Sequence, residues 1–228
     1  MGRAIARRLL DKGRRVALTY GSGAAVVEQL QAHANRGPGE LLAIRSDFRS
    51  LDSRDLVDEI ESHNAKVSAF IHSAALVDHT GFTTLSTERF SEVLSVNVVA
   101  AYGLVRELVS RGSLEHVVLL SSIASSVADL GSVAYTTSKG AIDALTRALA
   151  VELSPAIRVN AVAPGIVRSH RTADDPLFSG PAARIPDTAL VEPDEVASLV
   201  DFLLSDPLPS LHGQVLTIDG GVSLRRLG

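Results

Sequence analysis

Short apolar runs alternate with longer amphipathic stretches along almost the whole of this chain. That alternation constrains the fold more than any other feature. RVALTY (15–20), ELLAIRSD (40–47), VSAFIHS (67–73), HVVLLSS (116–122), IRVNAV (157–162) and QVLTI (214–218) read as buried strands. Between them lie segments with apolar residues at helical spacing: GRAIARRLLDKG (2–13), about 24–34, from about 52 to 61, about 87–110, the stretch after Tyr135 and PDEVASLVDFLL (193–204). Gly13 closes the first of these helices, and Ser50 or Asp52 caps the third. Strand–helix–strand alternation implies right-handed parallel crossovers, hence an α/β fold with a doubly wound parallel sheet in a single domain spanning 1–228.

Composition narrows the class further. A chain with 46% hydrophobic but only 4% aromatic residues builds its core from Ala, Val, Leu and Ile, as a parallel sheet covered on both faces requires. A net charge of −4 argues against nucleic acid as a partner. No uninterrupted apolar run reaches the roughly 18 residues of a membrane span, and no signal peptide is visible, so no membrane partner is expected. With no cysteine there is neither a disulfide nor a thiolate metal site, which fits a cytoplasmic location. The seven histidines show no ligand-like spacing, so no metal is expected.

The chemistry concentrates between Ser121 and Lys139. Ser122 stands at the end of a strand, Tyr135 follows thirteen positions later, and Lys139 four positions after that. Four residues make one helical turn, so phenol and ammonium share a face. A free tyrosine titrates near ~10 and is a poor acid or base at neutrality; a neighbouring cation is expected to lower its pKa towards working pH. The carboxyl edge of a sheet, where Ser122 falls, is where open α/β folds bind ligands.

These residues resemble the active-site pattern of the short-chain dehydrogenase/reductase family, Asn…Ser…Tyr-x-x-x-Lys, met here by Asn97, Ser122, Tyr135 and Lys139. VNAVAPG (159–165) and LTIDGG (216–221) follow in the family's order. The resemblance covers nearly the whole chain and implies a Rossmann-type sheet. It also implies an NAD(P)(H)-dependent oxidoreductase that interconverts a ketone and a secondary alcohol. Tyr135 would be the acid–base, Lys139 its partner and a ribose ligand, and Ser122 the holder of the substrate oxygen, with Ser121 the alternative. Asn97 would anchor a water leading to Lys139. The pattern is closest to 3-oxoacyl-thioester reductases and small ketoreductases. Expected partners are a small carbonyl or alcohol substrate, including an acyl thioester, and further copies of the chain in a homodimer or homotetramer joined through the helices of Asn97 and Tyr135.

Family members open with a strand and a glycine-rich turn, T-G-x-x-x-G-x-G. Here Gly2 matches its last glycine, so the usual first strand is expected to be lacking. Two explanations stay open: a start placed ten or more residues late, favoured by the intact tetrad, or a true loss of tight cofactor binding. Cofactor contacts implied by the resemblance are Gly2, Tyr20, Asp47, Ser73, Ala74, Ala75, Tyr135, Lys139, Pro164, Gly165, Val167 and Ser169, with His72 a candidate wall of the adenosine pocket. Tyr20-Gly21 offers no carboxylate to repel a 2′-phosphate, so NADP(H) is favoured over NAD(H). The irregular stretch at about 166–192 is expected to form a substrate lid. Its Arg168, Arg171 and Arg184 could meet an acidic carrier, against Asp174 and Asp175. Val77, Ile123, Leu130, Ile166 and Phe178 are candidates to line an apolar cleft. Rival readings are a non-catalytic subunit of the same fold and a lyase or epimerase built on it.

Overall fold

A computed structural model describes residues 1–169, 190–205 and 208–224. Helix α1 (Gly2–Asp11) opens the chain, followed by β1 (Arg15–Tyr20), α2 (Ala24–Ala34), β2 (Glu40–Arg45), α3 (Ser53–Ser62) and β3 (Ala69–His72). Helix α4 (Thr87–Leu94) continues through a π-helical segment (Ser95–Val99) into α5 (Ala100–Arg111). Then come β4 (His116–Leu120), a short 3-10 turn (Ile123–Ser125), α6 (Val133–Leu153), β5 (Arg158–Pro164), α7 (Pro193–Leu204) and β6 (Val215–Ile218). The described strands pair in parallel.

Local signals place the helix ends. Asp52 rather than Ser50 caps α3, its carboxylate accepting from the N–H groups of Arg54 and Asp55 at 2.8 and 3.3 Å. Pro193 and a reciprocal Glu192–Glu195 capping box start α7.

The sheet is split. Strands β3-β4-β5-β6 form one unit and β1-β2 another. A cavity of about 800 Å³ lies between β1 and β3. Helices hold the two units together. On one face, Ala6 and Leu10 of α1 pack with α2 and Val16 of β1, while Ile5 and Leu9 pack with α7 and with Val118 and Leu120 of β4. On the other face, Leu56 and Val57 of α3 join Ile44 of β2 to Leu104 of α5 and to Val117 and Leu119 of β4. Successive β4 residues thus face opposite helical layers, and each buried Val or Leu is worth roughly 1.5–3 kcal/mol over exposure.

The continuous helical stretch Thr87–Arg111 is long and apolar enough, by length and composition, to cross a membrane. Its Ala101, Leu104, Val105 and Leu108 are buried in the core cluster shared with α3 and β4, as in a core helix. Of the expected lid, residues 170–189 lie outside the described residues, and with them Arg171, Asp174, Asp175, Phe178 and Arg184. Its two ends are pinned together by a parallel bridge between Val167 and Val191, with N–H···O bonds of 2.9 Å from Arg168 to Val191 and from Val191 to Ile166.

Candidate active site

Strand β4 ends at the carboxyl edge of the four-stranded sheet, and there the two serines diverge. Ser121 is buried and donates to the Asp143 carboxylate. The Ser122 hydroxyl accepts from the Ala124 N–H at 3.2 Å and acts on the Tyr135 phenol, favouring its ionised form.

Tyr135 lies in the first turn of α6 and Lys139 one turn on, its Nζ 5.6 Å from the tyrosine ring centroid. Lys139 is only 3% exposed and donates to the Leu120 carbonyl at 2.6 Å. Burial lowers its pKa from 10.5 to about 8, with the Asp143 carboxylate pulling the other way. For Tyr135, burial pushes the phenol up and the Ser122 hydrogen bond only partly offsets it. This corrects the expectation that Lys139 lowers the phenol pKa: the ammonium lies over the ring, and its hydrogen bond goes to Leu120. At neutral pH the tyrosine is a protonated phenol, the form that donates.

Asn97 is fully buried, and it sits in the π-helical segment rather than in a plain α-helix. Such insertions recur at functional sites because they reorient one side chain without ending the helix. Its Oδ1 accepts from the Leu76 N–H at 2.7 Å, and its Nδ2 donates to the Leu76 carbonyl at 3.0 Å and the Ser138 hydroxyl at 2.9 Å. Ser138 donates in turn to the Tyr135 carbonyl at 2.7 Å. Asn97 therefore ties the loop after β3 to the helix carrying Tyr135 and Lys139, with no direct bond to Lys139.

The residues expected around a cofactor are spread along the same edge. A Cβ at Gly2 would come within 3.3 Å of the Ser73 Oγ, so the start of α1 lies against the Ser73-Ala74-Ala75 turn. Tyr20 ends β1, beside a Gly21 surrounded by open space. Asp47 is engaged in its own turn, accepting from the Arg49 N–H at 3.0 Å and pairing with the guanidinium at 3.5 Å. Pro164 ends β5, and a Cβ on Gly165 would fall 2.7 Å from the Asp219 Cβ. That glycine is thus required by the close approach of the turn after β6. Val167 stands in the bridge described above, and Ser169 is exposed at the edge of the described residues. Leu130 is fully exposed, and Val77 is 43% exposed.

His72 is 2% exposed and stacked on Phe48 at 6.0 Å between centroids. Burial, reinforced by Lys139, lowers its pKa to about 4, and its Nε2 has no partner.

Sequence reasoning missed three supports. Asp143, one turn beyond Lys139, was within reach of the same helical spacing that paired Lys139 with Tyr135. Ser138 carries no signal of its own. Asp78, 6% exposed, is held by Arg89 at 2.7 Å and fixes the loop after β3 to α4; nothing in the pattern marks that pair.

The donor set fits a nicotinamide dinucleotide. Ser122, Tyr135 and Lys139 converge where a carbonyl would react, and the first-turn N–H groups of α1, which a helix cannot satisfy internally, suit an anionic group beside Ser73. A family model described as enoyl-(acyl carrier protein) reductase matches residues 1–223. The 3-oxoacyl-[acyl-carrier-protein] reductase MabA of Mycobacterium tuberculosis is 28% identical over 232 residues, covering 98% of this chain and 89% of that protein. A short-chain dehydrogenase/reductase from Serratia marcescens superposes with a TM-score of 0.86 at 26% identity, over 97% of this chain and 93% of that one. A short-chain type dehydrogenase/reductase from Mycobacterium ulcerans gives a TM-score of 0.86 at 26% identity, over 99% and 86%. With the family model running over nearly its whole length, this chain belongs to the short-chain dehydrogenase/reductase family of oxidoreductases.

Proposed function

We propose that this chain interconverts a ketone and a secondary alcohol, as a 3-oxoacyl-type or small-molecule ketoreductase. The observation that carries the reading is the Lys139 ammonium 5.6 Å from the Tyr135 ring centroid, with Ser122 acting on the same phenol. A bound nicotinamide supplies the hydride. Tyr135, neutral at working pH, gives its proton to the carbonyl oxygen in reduction, and Ser122 donates to that oxygen as charge develops. Lys139 keeps positive charge beside the phenol as the proton leaves. Asn97, through Ser138, holds the helix bearing both groups in place. Likeness to a 3-oxoacyl reductase supports an acyl-thioester substrate. The absence of a carboxylate at Tyr20-Gly21 supports NADP(H) over NAD(H). Val99, Tyr102 and Val151, exposed apolar residues on the helical stretch of Asn97 and on α6, support assembly through those helices.

The test follows oxidation of NADPH and of NADH with β-ketoacyl thioesters and simple ketones. Tyr135→Phe is expected to lower kcat by about 10³-fold or more while NADPH titration changes little. Near-normal turnover in that variant would remove tyrosine from its assigned role. The cavity between β1 and β3 favours a second reading, a non-catalytic subunit. Nicotinamide titration separates the two, since a non-catalytic chain without a cofactor site shows no saturable binding.

A further inference from the structure

We infer that Arg89 and Asp78 are positioning residues for Tyr135. Their ion pair clamps the loop after β3 against Gly131, and so fixes the first turn of α6, where the phenol stands. The inference rests on the proposed reaction and adds to it a pair that acts through other residues.

The loop after β3 is fastened at two points. At Leu76 the Asn97 amide takes both backbone groups, accepting from the N–H at 2.7 Å and donating to the carbonyl at 3.0 Å. Two residues on, the Asp78 carboxylate accepts from the Arg89 Nε at 2.7 Å and from the Thr80 N–H at 2.9 Å. Arg89 sits in the first turn of α4, which runs on into the segment of Asn97, so one helical stretch supplies both fastenings.

Beyond the second fastening the loop meets the segment that leads to Tyr135. A Cβ at Gly131 would fall 2.8 Å from the His79 carbonyl oxygen, and the φ of +77° there is left-handed. Contact and backbone both require glycine. From Gly131 the contact passes to the helix through Ser132, which is 3% exposed. The Ser132 hydroxyl donates to the Asp129 carbonyl at 2.6 Å and bonds the Thr136 hydroxyl at 3.1 Å. Its carbonyl accepts from the Thr136 N–H at 2.7 Å. Tyr135 lies inside that turn. A shift of the His79 carbonyl would move Gly131, and with it the phenol.

Exposed ion pairs stabilise little, and the Arg89 side chain is 36% exposed. Asp78 is different. Its side chain is 6% exposed, so loss of Arg89 would leave a buried carboxylate without its charged partner. The loop would then turn that carboxylate out to water and leave Gly131. The guanidinium is fixed from its other side as well: Nη1 donates to Glu92 at 2.7 Å, and Glu92 also accepts from Arg49. With Nε and Nη1 on different carboxylates the planar group has one orientation, which a lysine cannot reproduce.

Arg111 supplies the control. Its guanidinium meets Asp58, Glu61 and Glu107 at 2.6, 3.0 and 2.7 Å, joining α3 to α5 roughly 20 Å along the helical stretch from Asn97. The test compares Arg89→Ala, Arg89→Lys and Asp78→Asn with Arg111→Ala in the 228-residue chain. It measures NADPH oxidation with a β-ketoacyl thioester, NADPH titration, urea unfolding and amide hydrogen exchange. In Arg89→Ala, kcat should fall about 10-fold or more while NADPH affinity stays within about 2-fold. Exchange should quicken about 10-fold at 76–80 and 131–136. Arg89→Lys and Asp78→Asn should show the same pattern in weaker form. Arg111→Ala should lower the urea midpoint and leave kcat and those amides unchanged.

The inference is overturned if Arg89→Ala behaves as Arg111→Ala does. It is equally overturned if kcat falls with exchange unchanged, which would put Arg89 in direct contact with substrate or cofactor. Where Arg89→Ala does not fold, the two milder variants decide by the same readings. A wild-type chain without turnover sinks the proposed reaction, and exchange at 131–136 then decides the clamp alone, quickened for it and unchanged against it. Unchanged kcat in these variants, beside loss of turnover in Tyr135→Phe, removes the clamp and leaves the reaction standing.

Discussion

Strands β4 and β1 are built from the same kinds of residue and meet opposite fates. Val117, Val118, Leu119 and Leu120 of β4 are at most 2% exposed, whereas no residue of β1 is fully buried and in β3 only His72 is. The difference lies in neighbours rather than in side chains: β4 and β5 have a strand on each side, β1 and β3 on one. The chemistry follows the same division. Ser122 hangs from β4, and Tyr135 and Lys139 from the helix packed on β5, all in the two-sided half. Tyr20, Gly2 and the Ser73-Ala74-Ala75 turn stand at the margins of the gap.

The largest effect that tests this contrast is on stability. Leu119→Ala should cost about 3–5 kcal/mol, because the cavity it leaves is closed on every side. Leu18→Ala, on a half-buried residue bordering the gap, should cost about 1 kcal/mol, as read from urea midpoints. Equal costs would erase the distinction between the halves.

Asn97 links the two halves, and its removal should cost somewhat less. Asn97→Ala leaves the Leu76 N–H and C=O buried without their partners and frees Ser138, a loss of about 2–3 kcal/mol by urea unfolding. Because Asn97 positions α6 rather than reacting, kcat should fall while the ratio of NADPH to NADH affinity stays fixed. A variant with unaltered midpoint would show that the link carries no load.

Most of the two-sided half was legible in the sequence. The runs HVVLLSS and IRVNAV read as strands because burial on both faces demands unbroken apolar residues. The spacing of Tyr135 and Lys139 is a local helical property that survives into three dimensions. What sequence could not supply was the balance of energies at the site. A lysine one turn from a tyrosine predicts a lowered phenol pKa, yet burial of both groups and the bond to Leu120 reverse it. Asp47 shows the same limit, since its position along the chain matched a ligand-binding acid while Arg49, two residues on, takes its carboxylate. The gap itself was foreseen from the missing glycine turn. That α1 and α3 would hold the two sheet fragments together across it depends on long-range packing that no local pattern encodes.

At the margin of the gap, His72 should make stability sensitive to acid. Its folded pKa of about 4 lies below the ordinary 6.5, so between those values the unfolded chain binds a proton and the folded one does not. Stability is therefore lost as pH falls from about 6.5 towards 4, by about 2 kcal/mol between pH 7 and pH 5. His72→Phe should flatten that slope by the same amount; an unchanged slope would mean that water or a ligand reaches the ring.

In the two-sided half, Lys139 gives the mirror-image test at alkaline pH. Its folded pKa of about 8 lies below the ordinary 10.5, so burial of the charged form weighs against folding at neutrality and is relieved as the lysine loses its proton. Between those two values the unfolded chain holds more protons, so stability rises with pH from about pH 8 to about pH 9.5. Tyr135 acts in the opposite sense only above its ordinary value of 10, outside this window. Lys139→Met should abolish the alkaline gain. A wild-type chain with no rise would place solvent at the ammonium, and the two halves would then differ less in their burial of charge than the strands do in their burial of apolar residues.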